Sequence, residues 1–387
     1  MTAMEPLTTD RLPAGITSRI IANNNGLDVH LLEAGDPGRP TILLLHGFPE
    51  LAFSWRHVMV PLAAAGFHVI APDQRGYGRT TGWSADYDGD LAPFRIFNLV
   101  RDQLALLAAL GKTHVEAVFG HDFGSPVAAT AALVRPDIFR RVALMSAPFG
   151  GPPAWPKGTA GAARKDGALA GLADPGLGDA LAALDPPRKH YQWYYSTRPA
   201  NADMTNCPQG LHAFLRAYYH MKSADWAPNK PYRLSAWDAP SLAVLPDYYV
   251  MPRDIDMAAA VAPAMPSAAA IAACCWLPDA DLAIYAAEYG RTGFQGGLQW
   301  YRCATGGLFG DDLKTFSGRT IDVPCCFISG KSDWGTYQKP GDLEALESKA
   351  TSDFKGTHLV EGAGHWVQQE QPEATVRLLR EFMAATA

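Results

Sequence analysis

The segment VFGHDFGSPVAA, Val118–Ala129, sets an aspartate between two glycines where an apolar run meets a helix-forming run. Gly120 and Gly124 bracket Asp122 in the spacing of a nucleophile elbow, whose central residue is serine in the G-x-S-x-G form. Pro126 fits the first turn of a helix starting here, and the positive end of that helix favours an ionised Asp122. An aspartate that merely caps a helix is common, but a cap needs neither the paired glycines nor a strand leading directly in. The carboxylate decides the chemistry. Serine attacking an acyl carbon leaves an ester that water cleaves, whereas serine attacking a saturated carbon leaves an inert ether. A carboxylate attacking saturated carbon leaves an ester whose carbonyl belongs to the protein, and water can hydrolyse it. Asp122 therefore points to an electrophilic saturated carbon, as in epoxides or alkyl halides, and away from ordinary ester or amide hydrolysis.

Hydrolysis of such an ester needs a base, an acid that orients it, and donors for the oxyanion. His365 in EGAGHW stands on a small-residue loop after the last strand signal, which gives the triad order of nucleophile first and base last. Asp333 in SGKSDWG follows a strand, whereas Asp322 precedes that strand; the other customary acid position, after RRVALMS, offers only Ala147, Pro148 and Phe149. Asp333 is the acid assigned. Backbone N–H groups of Phe48, just past TILLLHG, and of Phe123, next after Asp122, are the expected oxyanion donors.

These residues need a scaffold that alternates strands with helices. TILLLHG, FHVIAPDQRGYG, THVEAVFG and RRVALMSAPFGG are short apolar runs ending in glycine or small residues. Such runs read as buried parallel strands. Phe97, Val100, Leu104 and Leu107 recur at helical spacing, and Gly111 closes that helix. The pattern returns in VPCCFISGKSDWG and THLVEGAGHW, followed by an amphipathic helix opened by Pro372. The expected fold is α/β: a mostly parallel central sheet with helices on both faces. Between the two blocks the alternation stops. Gly151 to about Lys189 is rich in Gly, Ala and Pro, and His190 to about Tyr301 is aromatic and irregular. This predicts a mainly helical cap over residues 149–316, inserted after the sixth strand, with residues 1–148 and 317–387 as the core. Trp193, Trp226, Trp237, Trp276 and Trp300 suggest an apolar pocket there.

Composition narrows the classes. The chain has 387 residues, 48% hydrophobic and 19% charged, with a net charge of −6. That describes an ordinary globular protein with no basic block for nucleic acid. Six cysteines include the neighbouring pairs Cys274–Cys275 and Cys325–Cys326, spacings that suit neither a disulfide framework nor a zinc site. A reduced, cytoplasmic setting is expected, with no metal and no cofactor. MTAMEPLTTDRLPAG lacks the basic and apolar regions of a secretory signal. Met257–Pro278 runs 22 residues without a charge, but it is alanine-rich and interrupted by Pro263 and Pro266. Buried helix and loop are expected there, not a membrane span. LGKTH echoes the end of a P-loop, but Leu106 stands where the first glycine is required. His121, beside the nucleophile, is expected to pack against the elbow and not to serve as a second base.

HGFPE, SWRHVMVPLAAAGFHVIAPDQRGYG, GHDFGSPVA, GKSDW and GAGHWVQQEQPE together resemble the α/β-hydrolase superfamily, and within it the soluble epoxide hydrolases. In the cap, HYQWYY and RTGFQGGLQWYR resemble the stretches that carry that family's two tyrosines. The resemblance implies the α/β-hydrolase fold. It implies that Tyr191 and Tyr301 hold and protonate the epoxide oxygen, a role suited to a phenol with a pKa of ~10. It implies conversion of a small apolar epoxide and water to a vicinal diol, through a covalent ester on Asp122 that His365 and Asp333 help to hydrolyse. Two readings stand beside it: a haloalkane or haloacid dehalogenase using the same aspartate, and a non-catalytic ligand-binding receptor on this fold. Phe123 replaces the tryptophan of many relatives and has no side-chain N–H for a halide. The intact Asp122, Asp333 and His365 set argues against the receptor. Oligomeric state and natural substrate are not legible in the sequence.

Overall fold

The computed structural model describes residues 4–155 and 175–386. Part of the Gly, Ala and Pro-rich stretch expected to open the insertion, 156–174, lies outside the described residues. Eight strands form the main sheet: β1 Ile16–Asn24, β2 Leu27–Ala34, β3 Thr41–Leu45, β4 His68–Pro72, β5 Ala117–His121, β6 Val142–Met145, and, past the insertion, β9 Cys325–Gly330 and β10 Phe354–Val360. Their order across the sheet is β1-β2-β4-β3-β5-β6-β9-β10. The first hairpin and its junction with β4 are antiparallel, and every pairing from β4 to β10 is parallel. Strands β3 to β6 and β9 are buried at every position, which is why each reads as an unbroken apolar run and not as an alternating one.

Strand order dictates where a site can form. Helix α1, Arg56–Ala64, carries the chain from β3 leftward to β4, whereas α2, Ile96–Ala109, and α3, Gly124–Val134, carry it rightward to β5 and β6. Right-handed crossovers in opposite directions place α1 on one face of the sheet and α2 with α3 on the other. In keeping with this, α1 packs against the C-terminal helix Pro372–Ala385, and α2 packs against α3. The direction reverses between β3 and β5, so their carboxyl ends flank a crevice, the topological switch point where ligands of such sheets bind. Phe48 lies just beyond β3, and Asp122 immediately follows β5.

The insertion between β6 and β9 is mainly helical but holds one feature that composition does not reveal. Strands β7, Arg188–His190, and β8, Val250–Pro252, pair antiparallel as a small separate sheet. Helix Leu211–Lys222 packs on helix Asp279–Thr292, and helix Tyr191–Tyr195 packs on helix Gln295–Thr305. The alanine-rich run departs from expectation. Helix Met257–Val261 buries all its residues but Ala259, whereas helix Ala268–Ala273 buries none. Alanine exposes little apolar area and has the best helix propensity, and Ser267 caps the turn by accepting from the Ala270 N–H, so a short exposed helix costs little. Among the described residues no helix is long and apolar enough to cross a membrane.

Candidate active site

Asp122 sits at the sharpest point of the chain. Its φ is +51°, a left-handed conformation that a non-glycine residue adopts only when its surroundings impose it. Both flanking glycines are steric necessities: a Cβ on Gly120 would lie 2.2 Å from the Gly124 carbonyl oxygen, and one on Gly124 would lie 2.2 Å from the Leu45 carbonyl oxygen. The turn thus presses α3 against β3 and lifts the carboxylate into the switch-point crevice.

The structure brings the other core residues to it. Phe48 donates its N–H to Asp122 Oδ1 at 2.8 Å. His365 Nε2 lies 3.1 Å from Asp122 Oδ2, and its Nδ1 lies 3.1 and 3.2 Å from the two oxygens of Asp333. Asp333 also accepts from the Gly335 N–H and the Ser329 hydroxyl, which fixes its orientation. The rival Asp322 is bonded to Thr320 and Ser352 on the exposed surface. The Phe123 N–H makes no hydrogen bond to the carboxylate in this structure, so only one of the two expected donors is engaged. His121 turns away from the crevice, with Nδ1 2.6 Å from Glu50 and Nε2 2.7 Å from the His365 carbonyl oxygen. It packs behind the elbow, as expected.

Burial would drive each of these charges toward its neutral form, and their mutual arrangement reverses that. Burial alone would raise the Asp122 carboxyl, but the hydrogen bond and charge of His365 and the nearby Lys222 hold it well below the usual carboxylate range. Asp333 is lowered in the same way, burial being overcome by the facing His365 and the Gly335 N–H. For His365, burial and Lys222 push downward, while Asp333 and Asp122 push upward and prevail.

Tyr191 and Tyr301 line the same cavity as Asp122, with ring centroids 5.9 Å apart. Tyr191 follows β7 directly, and its N–H continues the strand pairing to the Tyr249 carbonyl at 2.9 Å. Tyr301 rides on helix Gln295–Thr305, which touches the core backbone to backbone: a Cβ on Gly296 would lie 2.1 Å from the Gly76 carbonyl oxygen. Trp300 locks that helix by donating to the Arg75 carbonyl. The two hydroxyls differ. Tyr191 donates to Gln338 Oε1 at 3.2 Å and accepts from Gln192 Nε2 at 2.9 Å, whereas Tyr301 has no hydrogen-bond partner among the described residues. Burial, reinforced by the Asp122 charge, raises both phenols well above their ordinary pKa.

Phe123, Pro126, Pro148, Phe149 and Phe309 make the cavity mostly apolar, but none of the five tryptophans named from composition lines it. Trp300 and Trp276 serve instead as anchors to Arg75 and Asp225. Composition cannot distinguish a pocket wall from a core. It also misses Lys222, which is 3% exposed, with its ammonium 5.1–5.8 Å from the ring centroids of Tyr218, Tyr248, Tyr249 and Trp366. The carbonyl of Lys222 accepts the His365 N–H at 2.9 Å, so the insertion holds the histidine loop in place. No sequence motif marks it.

Residues 40–167 match the family described as alpha/beta hydrolase fold. Epoxide hydrolase A of Mycobacterium tuberculosis is 31% identical over 383 residues, which span 95% of this chain and 98% of that protein. The chain belongs to the epoxide hydrolase family. Epoxide hydrolase B of the same organism is 32% identical across 94% of this chain and 97% of its own length. Among solved structures, an epoxide hydrolase from an endophytic Streptomyces superposes with a TM-score of 0.75 at 29% identity, covering 96% of each chain. As a member of this family the chain is an enzyme, a hydrolase acting on the ether bond of an epoxide.

Proposed function

We propose that the protein converts an epoxide to a vicinal diol by two-step covalent catalysis at Asp122. One observation carries the reading: an elbow carboxylate backed by His365 and Asp333 shares one cavity with two tyrosine hydroxyls. In this reading residues 1–148 and 317–387 are the core that holds nucleophile and base. Residues 149–316 are the cap that supplies the acids.

Asp122 Oδ2 attacks a ring carbon, the carbon–oxygen bond of the epoxide breaks, and the oxygen takes a proton from Tyr191 or Tyr301. Both phenols stay protonated at neutral pH and so remain able to donate. Oδ1 becomes the carbonyl oxygen of the new ester, already facing the Phe48 N–H. Alkylation abolishes the Asp122 charge, one of the influences that raise His365. The imidazole is then easier to deprotonate, at the step that needs it as a base. A water molecule gives His365 Nε2 a proton and attacks the ester carbon, and the tetrahedral oxyanion forms on Oδ1 beside Phe48 and Phe123. Collapse expels the diol with Oδ2, protonated from His365. The second water proton, left on the regenerated carboxyl group, returns the phenolate to tyrosine. Free thiols at all six cysteines fit a reducing compartment such as the cytoplasm.

The source of oxygen tests the nucleophile. With enzyme in excess over epoxide in labelled water, the first diol should be unlabelled and Asp122 should acquire the label. Label in that first diol would mean that water opens the ring directly, and the assignment of Asp122 would fall.

A further inference from the structure

The cavity has polar lining that the two-step mechanism leaves unused. Lys339 and Asp342, on the segment after β9, line the same cavity as Asp122 and the tyrosines. Asp342 is 6% exposed, yet its carboxylate has no hydrogen bond and no ion pair within 4 Å among the described residues. Lys339, half-buried, makes no ion pair within 4 Å among the described residues; the Asp342 N–H donates to the Lys339 carbonyl at 3.2 Å. Burial displaces both groups toward their neutral forms, Asp342 up to about 7 and Lys339 downward, and the charge of each only partly offsets this on the other. A third group points the same way. Gln192, also 6% exposed and lining the cavity, leaves its Oε1 without a partner.

Buried polar groups without partners are costly, and a cavity that retains them selects for a ligand that completes them. The chemistry of the pair narrows what that ligand carries. An ammonium can only donate, and an ionised carboxylate can only accept. While Asp342 is ionised, a carboxylate on the substrate would meet Lys339 but be repelled by Asp342, and an ammonium would suffer the reverse. An alkyl terminus would leave both unsatisfied. A hydroxyl group, which accepts through its oxygen and donates through its hydrogen, satisfies both at once.

We infer that the substrate is an epoxide with an apolar body and a hydroxyl group remote from the ring, held between Lys339 and Asp342. The inference rests on the epoxide-opening reading above and assigns these two residues to substrate selection. The apolar wall made by Phe123, Pro148, Phe149 and Phe309 takes the body, while the epoxide lies at Asp122.

The test compares 1,2-epoxyalkanes of increasing chain length with their ω-hydroxy and ω-carboxy counterparts. At the chain length that spans the cavity, wild type should favour the ω-hydroxy epoxide over its parent by ~10-fold in kcat/KM, as one hydrogen bond to a charged group would give. The gain should lie mainly in KM, since the contact is made equally in ground and transition states. Lys339→Met and Asp342→Leu should each erase the preference, so that the ω-hydroxy epoxide is turned over no better than its parent by the same variant. Asp342→Asn, which still donates and accepts, should keep part of it and serves as the variant most certain to fold. A wild type that opens plain epoxides with no ω-hydroxy preference at any length would overturn the inference and leave the epoxide reading intact. So would a preference that survives both substitutions, or an ω-carboxy preference, which would make Lys339 an anion anchor alone. Failure to open any epoxide would overturn both readings together.

Discussion

Replacing each cap tyrosine by phenylalanine gives results that follow from the unequal surroundings of the two hydroxyls. Ring opening develops negative charge on the epoxide oxygen, and a hydrogen bond to a charged group contributes about 1.5–3 kcal/mol. Losing one of two donors should therefore slow alkylation by roughly 10- to 150-fold, at about 1.4 kcal/mol per tenfold. Losing both removes about 3–6 kcal/mol, a factor of ~10²–10⁴, which is also the range of general-acid catalysis. The single variants should differ in stability. The Tyr301 hydroxyl makes no hydrogen bond to the described residues, so Tyr301→Phe should leave the melting temperature unchanged. Tyr191 bridges Gln338 and Gln192, so Tyr191→Phe strands two buried amides and should cost about 1–3 kcal/mol of stability for each that stays unsatisfied. Stopped-flow fluorescence with enzyme in excess reads alkylation and ester hydrolysis separately, and calorimetry reads stability. The reasoning is refuted if Tyr301→Phe alkylates at the wild-type rate, or if either variant slows hydrolysis of the ester more than its formation.

The base and its electrostatic setting allow two further measurements. His365→Gln should still be alkylated, because the Lys222 charge and the Phe48 N–H remain to favour an ionised Asp122, but should not release diol; intact-mass analysis after mixing with epoxide should show protein plus one substrate, and an unmodified yet folded variant would contradict this. Lys222→Met keeps the carbonyl that holds His365 and fits the same aromatic cage, but removes a cation that lowers the His365 pKa. The pKa should rise, so hydrolysis, which needs neutral His365, should lose its rate at a higher pH as the solution is acidified. Alkylation should keep its pH profile, because Asp122 remains ionised; an unshifted hydrolysis limb would show that Lys222 does not tune the base.

What the sequence reveals about this site depends on how local each constraint is. The elbow is legible because its causes lie within a few residues: Gly120 and Gly124 must be glycine for Asp122 to occupy its turn, and the substitution of carboxylate for hydroxyl rewrites the chemistry. The parallel sheet is legible because strands buried on both faces leave an unbroken apolar trace. His365 and Asp333 follow from their places just past strands, since every such loop of this sheet opens on the same edge. Burial between segments far apart in the chain leaves no such trace. Nothing in HMKSADW marks Lys222 as a buried cation, nothing in TYQKPGD marks Lys339 and Asp342 as cavity walls, and of the tryptophans that composition offers for the pocket, Trp300 and Trp276 hydrogen-bond Arg75 and Asp225 instead.

The unreadable part is also the part that joins cap to core. The His365 loop takes its backbone anchor from the Lys222 carbonyl, and Glu370 pins that junction by accepting the N–H groups of Ala224, Gly364 and Trp366 at 2.8–2.9 Å. The cap therefore does more than cover a finished triad. One of its residues anchors the His365 backbone, and the side chain of that same residue partly offsets the two carboxylates that raise the His365 pKa. A cap that shifted away from the core would carry off the tyrosine acids, the anchor and the opposing charge together. In the proposed mechanism both half-reactions would thus depend on one interface: alkylation through the position of Tyr301 on its glycine-sealed helix, and hydrolysis through Lys222.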